Sequence, residues 1–160
     1  MNDDILSLMD PFSITASIIA VLQATNAVVS ICYEYRSAIK NSTWELSRVL
    51  EEVKSLRNVL ESLEQLAEKA EIADPAAETQ LPTLKLLCEP EVGPLALCLV
   101  ELEALQKKLV PPSSSGQVGS KRALIEKLVW PLRKGDTKRI IENIGRFKAT
   151  LNLAMTADQV

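Results

Sequence analysis

The clearest helical rhythm in the chain lies in its second quarter. Leu46, Val49, Val53, Leu56, Leu60, Leu63, Ala67 and Ala70 recur at gaps of three and four, while Glu51, Glu52, Lys54, Glu61, Glu64 and Glu68 fall off that row. Positions three and four apart share one face of an α-helix, so the segment predicts a long amphipathic helix with a single narrow seam. Ser42 and Glu45 stand just ahead of it as a capping box, each side chain able to satisfy the other's orphan backbone amide.

A different pattern precedes it. Asp10-Pro11 reads as an N-cap followed by proline at the first helical position, and from Pro11 to Tyr33 there are 23 residues without a charge. A helix from Pro11 to Lys40 rises about 1.5 Å per residue and reaches about 45 Å, enough to cross a hydrocarbon core of roughly 30 Å. Ser13, Thr15, Ser17, Gln23, Thr25, Asn26 and Ser30 make it more polar than a resident single-span anchor. Ala16, Ala20 and Ala24 lie at i, i+4 and i+8, with Ser13 and Ser17 forming a second small pair on the neighbouring face. Small residues let backbones approach closely, which serves a bundle core in water and helix association in lipid alike. Both environments stay open, with the second helix as the antiparallel partner.

Further on, Ala73 to Gln80 reads as a loop around Asp74-Pro75, and Leu81 to Cys88 as a short helix halted at Glu89-Pro90. Gly93-Pro94 opens a third long helix with Leu95, Cys98, Leu99, Leu102, Leu105 and Leu109 at helical spacing, ended by Pro111-Pro112. Pro111 to Gly119 is a Pro/Ser/Gly linker, and Ser120 caps a short amphipathic helix that bends or stops at Trp130-Pro131. Asp136 caps the last helix, whose seam is Ile140, Ile144, Phe147, Leu151 and Ala154. The pattern predicts an all-α fold: a helical bundle of about four long helices plus one or two short ones, with neighbours alternating up and down. One domain suffices. Four buried stripes at about 25 cal/mol per Å² suffice for a core without a cofactor.

Composition narrows the chemistry. Five glycines and six aromatics in 160 residues disfavour an all-β fold. The absence of histidine removes the commonest metal ligand and the one side chain that titrates near neutrality unaided. No Gly-rich phosphate loop, dinucleotide fingerprint or nucleophile elbow occurs. The paired carboxylates Glu51-Glu52 and Glu101/Glu103 flank seams instead of converging. No catalytic residue, cofactor site or metal site is predicted, and the chain reads as a non-enzyme. Cys32, Cys88 and Cys98 form no CxxC pair and read as reduced core residues of a cytoplasmic protein. The acidic N-terminus lacks the positive flank of a secretory signal.

The net charge is −3, yet residues 111–160 hold nine Lys or Arg against four acids. Lys121, Arg122, Lys127, Arg133, Lys134, Lys138 and Arg139 flank the Trp130-Pro131 bend. Such a patch is either a solvated face or a contact for anionic lipid, where each cation near the surface is worth about 1 kcal/mol. Nucleic acid is not expected, given the net negative charge and few aromatics.

Several segments together resemble a known family. The stretch from Met9 through Pro11, Phe12, Ala16 and Ala20 to Gln23 is similar to the opening of the fungal HeLo-like domains carried by STAND (NLR-like) proteins. Glu45 to Leu63 resembles that family's second helix, Gly93-Pro94-Leu95 its third-helix start, Leu128 to Leu132 its bend, and Leu151 to Ala154 its close. The resemblance implies a single domain over residues 9–160 with residues 1–8 as an added leader, and a membrane-targeting cell-death effector module, the N-terminal part of a receptor with sensor and oligomerisation domains behind it. It also implies a bundle that self-associates on activation, exposes its first helix and permeabilises membranes. No glycine occurs between Pro11 and Lys40, so alanine and serine are the small residues of that helix.

These readings combine into one expectation. The bundle is cytoplasmic and soluble while its first helix is sheathed; clustering by attached sensor domains then relocates it to a membrane. Phe12, Ser13, Ala16, Ser17, Ile18, Ala20, Val21, Ala24 and Val28 form the insertion face, and the seven cations from Lys121 to Arg139 meet anionic lipids. The competing expectation is a non-lytic interaction or regulatory domain that uses the same helix faces to bind proteins.

Overall fold

Residues 14–38, 44–73, 82–110 and 131–159 are described by a computed structural model. They form helices α1 (Ile14–Ala38), α2 (Trp44–Ala73), α3 (Pro82–Leu87), α4 (Pro94–Leu109) and α5 (Lys134–Gln159), with no strand among the described residues. The fold is an all-α bundle. The α2 seam is buried at every predicted position from Leu46 to Ala67, and Ala70 packs half-buried against it. Leu95, Cys98, Leu102, Leu105 and Leu109 of α4 and Ile140, Ile144, Leu151 and Ala154 of α5 complete the core, with Leu99 and Phe147 partly buried beside it.

α1 packs on α2 and on α4, α2 packs on α5, and α4 meets α5, which closes a ring in the order α1, α2, α5, α4. Five residues join α1 to α2, so these two run antiparallel. Ser17 and Ala20 near the start of α1 share a cleft with Leu95 and Leu99 near the start of α4, while Tyr35 touches Leu109 where both helices end. α1 and α4 are therefore parallel neighbours. The same logic makes α2 and α5 parallel: Trp44 and Arg48 share a groove with Lys134 and Lys138, and Glu52 pairs with Lys148 further along. Long helices alternate up and down along the sequence, as expected, but two of the four neighbouring pairs in space are parallel. The cause is α3, which packs on α5. α3 lies on α5, and α4 starts on the far side of it, beside α1.

The turn from α3 to α4 is tight. The Cys88 amide donates to the Lys85 carbonyl at 3.1 Å and the Gly93 amide to the Glu89 carbonyl at 2.9 Å. Glu91 lies at φ 68°, in the left-handed region that disfavours residues with a Cβ. At Gly93 a Cβ would stand 2.5 Å from the Glu89 carbonyl oxygen and 2.7 Å from that of Leu87, so this position requires glycine on space alone.

The start of α5 departs from the expected Asp136 cap. The helix begins at Lys134, because the Arg133 carbonyl already accepts the Thr137 amide at 2.9 Å and the Thr137 hydroxyl at 3.1 Å. Asp136 sits inside the first turn, where a carboxylate still favours the positive helix pole, and faces Arg139 at 3.8 Å. The leader, Ser42, the loop around Pro75, the linker 111–119 and the helix expected after Ser120 lie outside the described residues.

Candidate functional site

α1 is the one described helix long and apolar enough to cross a membrane, and half of that window is buried in the bundle. Ile18, Val21 and Val28 of the expected insertion face point into the core. Ala16, Ser17, Ala20 and Ala24 are half-buried, whereas Phe12 and Ser13 lie outside the described residues. The polar residues Gln23, Asn26 and Ser30 face solvent. The uncharged stretch from Ile14 to Tyr33 is thus amphipathic through its amides and hydroxyls alone. Ser17 and Ala20 face α4 across a cleft of about 180 Å³, lined also by Cys88, Pro90, Leu95 and Leu99. In the closed bundle the small-residue face is a packing face that lets α4 lie alongside.

Two tyrosines mark the other end of α1. Tyr35 is fully buried and its hydroxyl donates to the Leu109 carbonyl at 2.6 Å. Tyr33 is exposed, with the Lys54 Nζ 5.7 Å from its ring centroid, within cation–π range.

Of the expected lipid patch, Arg133, Lys134, Lys138 and Arg139 are exposed around the first turns of α5. Lys121, Arg122 and Lys127 lie outside the described residues. The structure adds two residues that spacing did not single out. Trp44, at the first position of α2 and 54% exposed, and Arg48 one turn later line an open groove of about 580 Å³ with Lys134, Gly135, Lys138, Ile141 and Glu142. A tryptophan at a helix start with an arginine at i+4 was the available signal, but only the fold reveals that α5 brings its cations alongside.

The carboxylates considered for acid–base work serve separate seams. Glu52 Oε2 lies 2.8 Å from Lys148 Nζ between α2 and α5, and the same ammonium donates to Ser55 Oγ at 3.2 Å. Glu101 Oε1 accepts from Asn143 Nδ2 at 3.0 Å between α4 and α5. All three cysteines are buried thiols outside any disulfide, and burial pushes the Cys98 thiol up to about 12, which keeps it protonated and poorly nucleophilic. Among the described residues no group of three His, Cys, Asp or Glu side chains is placed to hold a metal ion.

Taken together, a sheathed apolar helix and a cationic groove on an otherwise helical core define an all-α bundle whose distinctive features lie on its surfaces. Residues 9–160 match the family described as pigment biosynthesis cluster protein PigL, N-terminal, and the chain belongs to that family. No curated protein and no solved structure matches it.

Proposed function

We propose that the chain is a membrane-targeting cell-death effector domain of an NLR-like receptor, as its likeness to fungal HeLo-like domains implies. The observation that carries this reading is α1. It has membrane-spanning length, no charge from Ile14 to Tyr33, and a half-buried face of Ala16, Ser17, Ala20 and Ala24. Leaving the bundle exposes Ile18, Val21 and Val28 to water, a cost that lipid removes, because apolar surface is as well placed among acyl chains as in a core. The small residues then let copies of α1 pack against one another where no hydrophobic force holds helices together. Clustering by attached sensor domains raises the local concentration of α1 and drives the exchange. The family description speaks of a pigment biosynthesis cluster and assigns no chemistry to the N-terminal domain.

Dye release from anionic vesicles tests it, using the full chain both monomeric and fused to a tetramerising scaffold. Clustered protein is expected to cause leakage, and Ala20→Glu, which adds a charge to the small-residue face, to abolish it. No leakage from clustered protein on vesicles to which it is bound would overturn the proposal.

One observation favours a second reading, a non-lytic interaction domain. Leu97 and Val100, one turn apart on the outer face of α4, are 49% and 63% exposed, enough apolar surface to seat a partner helix. On this reading α1 keeps its amide protection from hydrogen exchange when lipid is added.

A further inference from the structure

All four long helices deliver cations to the same end of the bundle. α1 and α4 finish there and α2 and α5 begin there, as the Tyr35–Leu109 hydrogen bond and the shared Trp44–Lys134 groove require. Arg36 comes from α1, Arg48 from α2, Lys107 and Lys108 from α4, and Arg133, Lys134, Lys138 and Arg139 from α5 and its approach, all exposed. Glu34, Glu45, Asp136 and Glu142 accompany them. The opposite end is acidic: Glu64 and Glu68 of α2 and Glu89 and Glu91 of the α3–α4 turn outnumber Lys69 and Lys85 there. The bundle is charged along its axis, although no single segment of the sequence carries that asymmetry.

Helix stability does not account for the cationic end. Arg36, Lys107 and Lys108 suit the negative poles of their helices, but Arg133, Lys134 and Lys138 crowd the positive pole of α5, and Arg48 lies one turn into α2. Nor does packing account for Trp44, a residue 54% exposed beside Arg48, Lys134 and Lys138. Cations gathered around an exposed indole match a water–lipid boundary, where tryptophan settles at headgroup depth and each basic side chain gains from anionic headgroups.

We propose that this end face docks the closed bundle onto an anionic phospholipid surface, with Trp44 entering the interface and Arg48, Lys134 and Lys138 meeting headgroup phosphates. The inference rests on the membrane reading above for the nature of its partner, but it does not need α1 to leave the bundle. Docking stands the bundle on end, with the C-terminus of α1 at the surface and its N-terminus pointing away. The acidic row Glu61, Glu64 and Glu68 on a second copy is the rival occupant. A bilayer fits better, because cations spread over four helix ends around an exposed Trp44 match a continuous anionic headgroup layer, whereas the acidic end of a second copy, Glu89 and Glu91 included, also carries Lys69 and Lys85.

The test uses the full-length unclustered chain with phosphatidylcholine vesicles, with and without phosphatidylserine. Co-sedimentation and dye release are read in the same samples, and circular dichroism melting checks that each variant is folded. Binding is expected only with phosphatidylserine and is expected to fall with added salt. Arg48→Ala, Lys134→Ala and Lys138→Ala each weaken it about fivefold. In a Trp130→Phe background, Trp44 emission shifts to the blue on binding. Lys69→Ala and Lys85→Ala, at the other end, leave binding unchanged.

Binding that the three end-face substitutions weaken supports the docking face with or without leakage, and release of α1, which clustering drives, is read separately from the clustered samples. Leakage with binding unaffected by the three end-face substitutions overturns the docking face and leaves the α1 reading standing. Equal loss from Lys69→Ala, or self-association in solution that Arg48→Ala abolishes while vesicles bind nothing, also overturns it, the latter in favour of a second copy.

Discussion

The Tyr35 hydroxyl donates to the carbonyl oxygen of Leu109 at 2.6 Å, joining residues 74 positions apart where two parallel helices end. Leu109 is the last residue of α4, where helix carbonyls run out of intrahelical amides. Tyr35 supplies the missing donor from inside the core, and α1 is thereby fastened to α4 by a polar bond as well as by packing. Tyr35→Phe keeps the ring and leaves a buried carbonyl unsatisfied, so urea denaturation is expected to show a loss of about 1–3 kcal/mol. Tyr35→Ala also opens a cavity and is expected to cost more, about 3–5 kcal/mol. Equal stability of Tyr35→Phe and the parent chain would mean that the bond carries no weight.

The seams of this bundle were legible because burial enforces them. Leu46 to Ala67 could be read from letters, since a period of three and four has one structural meaning over six turns. Asp136 misled, because an acid before an apolar seam looks like a cap, whereas the Arg133 carbonyl, three residues earlier, already starts the helix. Tyr35 and Trp44 were missed for opposite reasons. Tyr35 sits on the apolar face, where its hydroxyl is invisible to periodicity. Trp44 gains its neighbours only from the parallel placement of α5, which depends on where α3 packs. The half-burial of Ser17 and Ala20 likewise follows from α4 lying beside α1, a pairing that alternation alone does not specify.

The α3–α4 turn offers a paired test. Gly93→Ala places a Cβ 2.5 Å from the Glu89 carbonyl oxygen, a backbone atom that cannot swing aside, and is expected to destabilise by about 1–3 kcal/mol. Glu91 holds φ 68°, where a side chain is strained, and Glu91→Gly is expected to stabilise by about 0.5–1 kcal/mol. Opposite signs two residues apart, read from the same melting curves, separate crowding from backbone strain. Two losses would show that φ at Glu91 costs nothing.

Cys98 ties stability to alkaline pH. Burial raises its thiol from 9.0 to about 12 in the folded chain, while the unfolded thiol ionises near its ordinary value. Below pH 9 both states keep the proton and the thiol contributes no pH dependence. Between pH 9 and about 12 the unfolded state releases it and the folded state does not. Stability therefore falls as pH rises, by about 1.4 kcal/mol per unit for this group. Cys98→Ala is expected to cost stability at neutral pH through lost packing, yet to flatten the decline above pH 9. An unchanged alkaline slope would assign the decline to other groups.

Glu52 and Lys148 pair at 2.8 Å in the α2–α5 seam, with side chains only 23% and 20% exposed. Lys148→Met leaves the carboxylate in the seam with its ammonium gone, and a loss of about 1–3 kcal/mol is expected. Adding Glu52→Gln removes the stranded charge and should restore most of that loss, since a partly buried ion pair adds little over a neutral packed pair. If the double variant is as unstable as the single one, the pair fixes the register of α2 against α5.

The cleft between α1 and α4 separates a loose small-residue face from a tight one. Ala20 borders about 180 Å³ of open space shared with Pro90, Leu95 and Leu99, whereas Ala24, one turn on, packs partly buried against the core. Ala20→Leu has room to fill and is expected to hold or raise stability by up to about 1 kcal/mol, while Ala24→Leu must displace neighbours at a cost of about 1–3 kcal/mol. The contrast also bears on release. Extra packing at Ala20 strengthens the start of α1, the end farthest from the Tyr35 fastening, so clustered Ala20→Leu is expected to release dye more slowly than the parent chain. A variant that melts higher and leaks at the parent rate would place the onset of any release at the Tyr35 end instead.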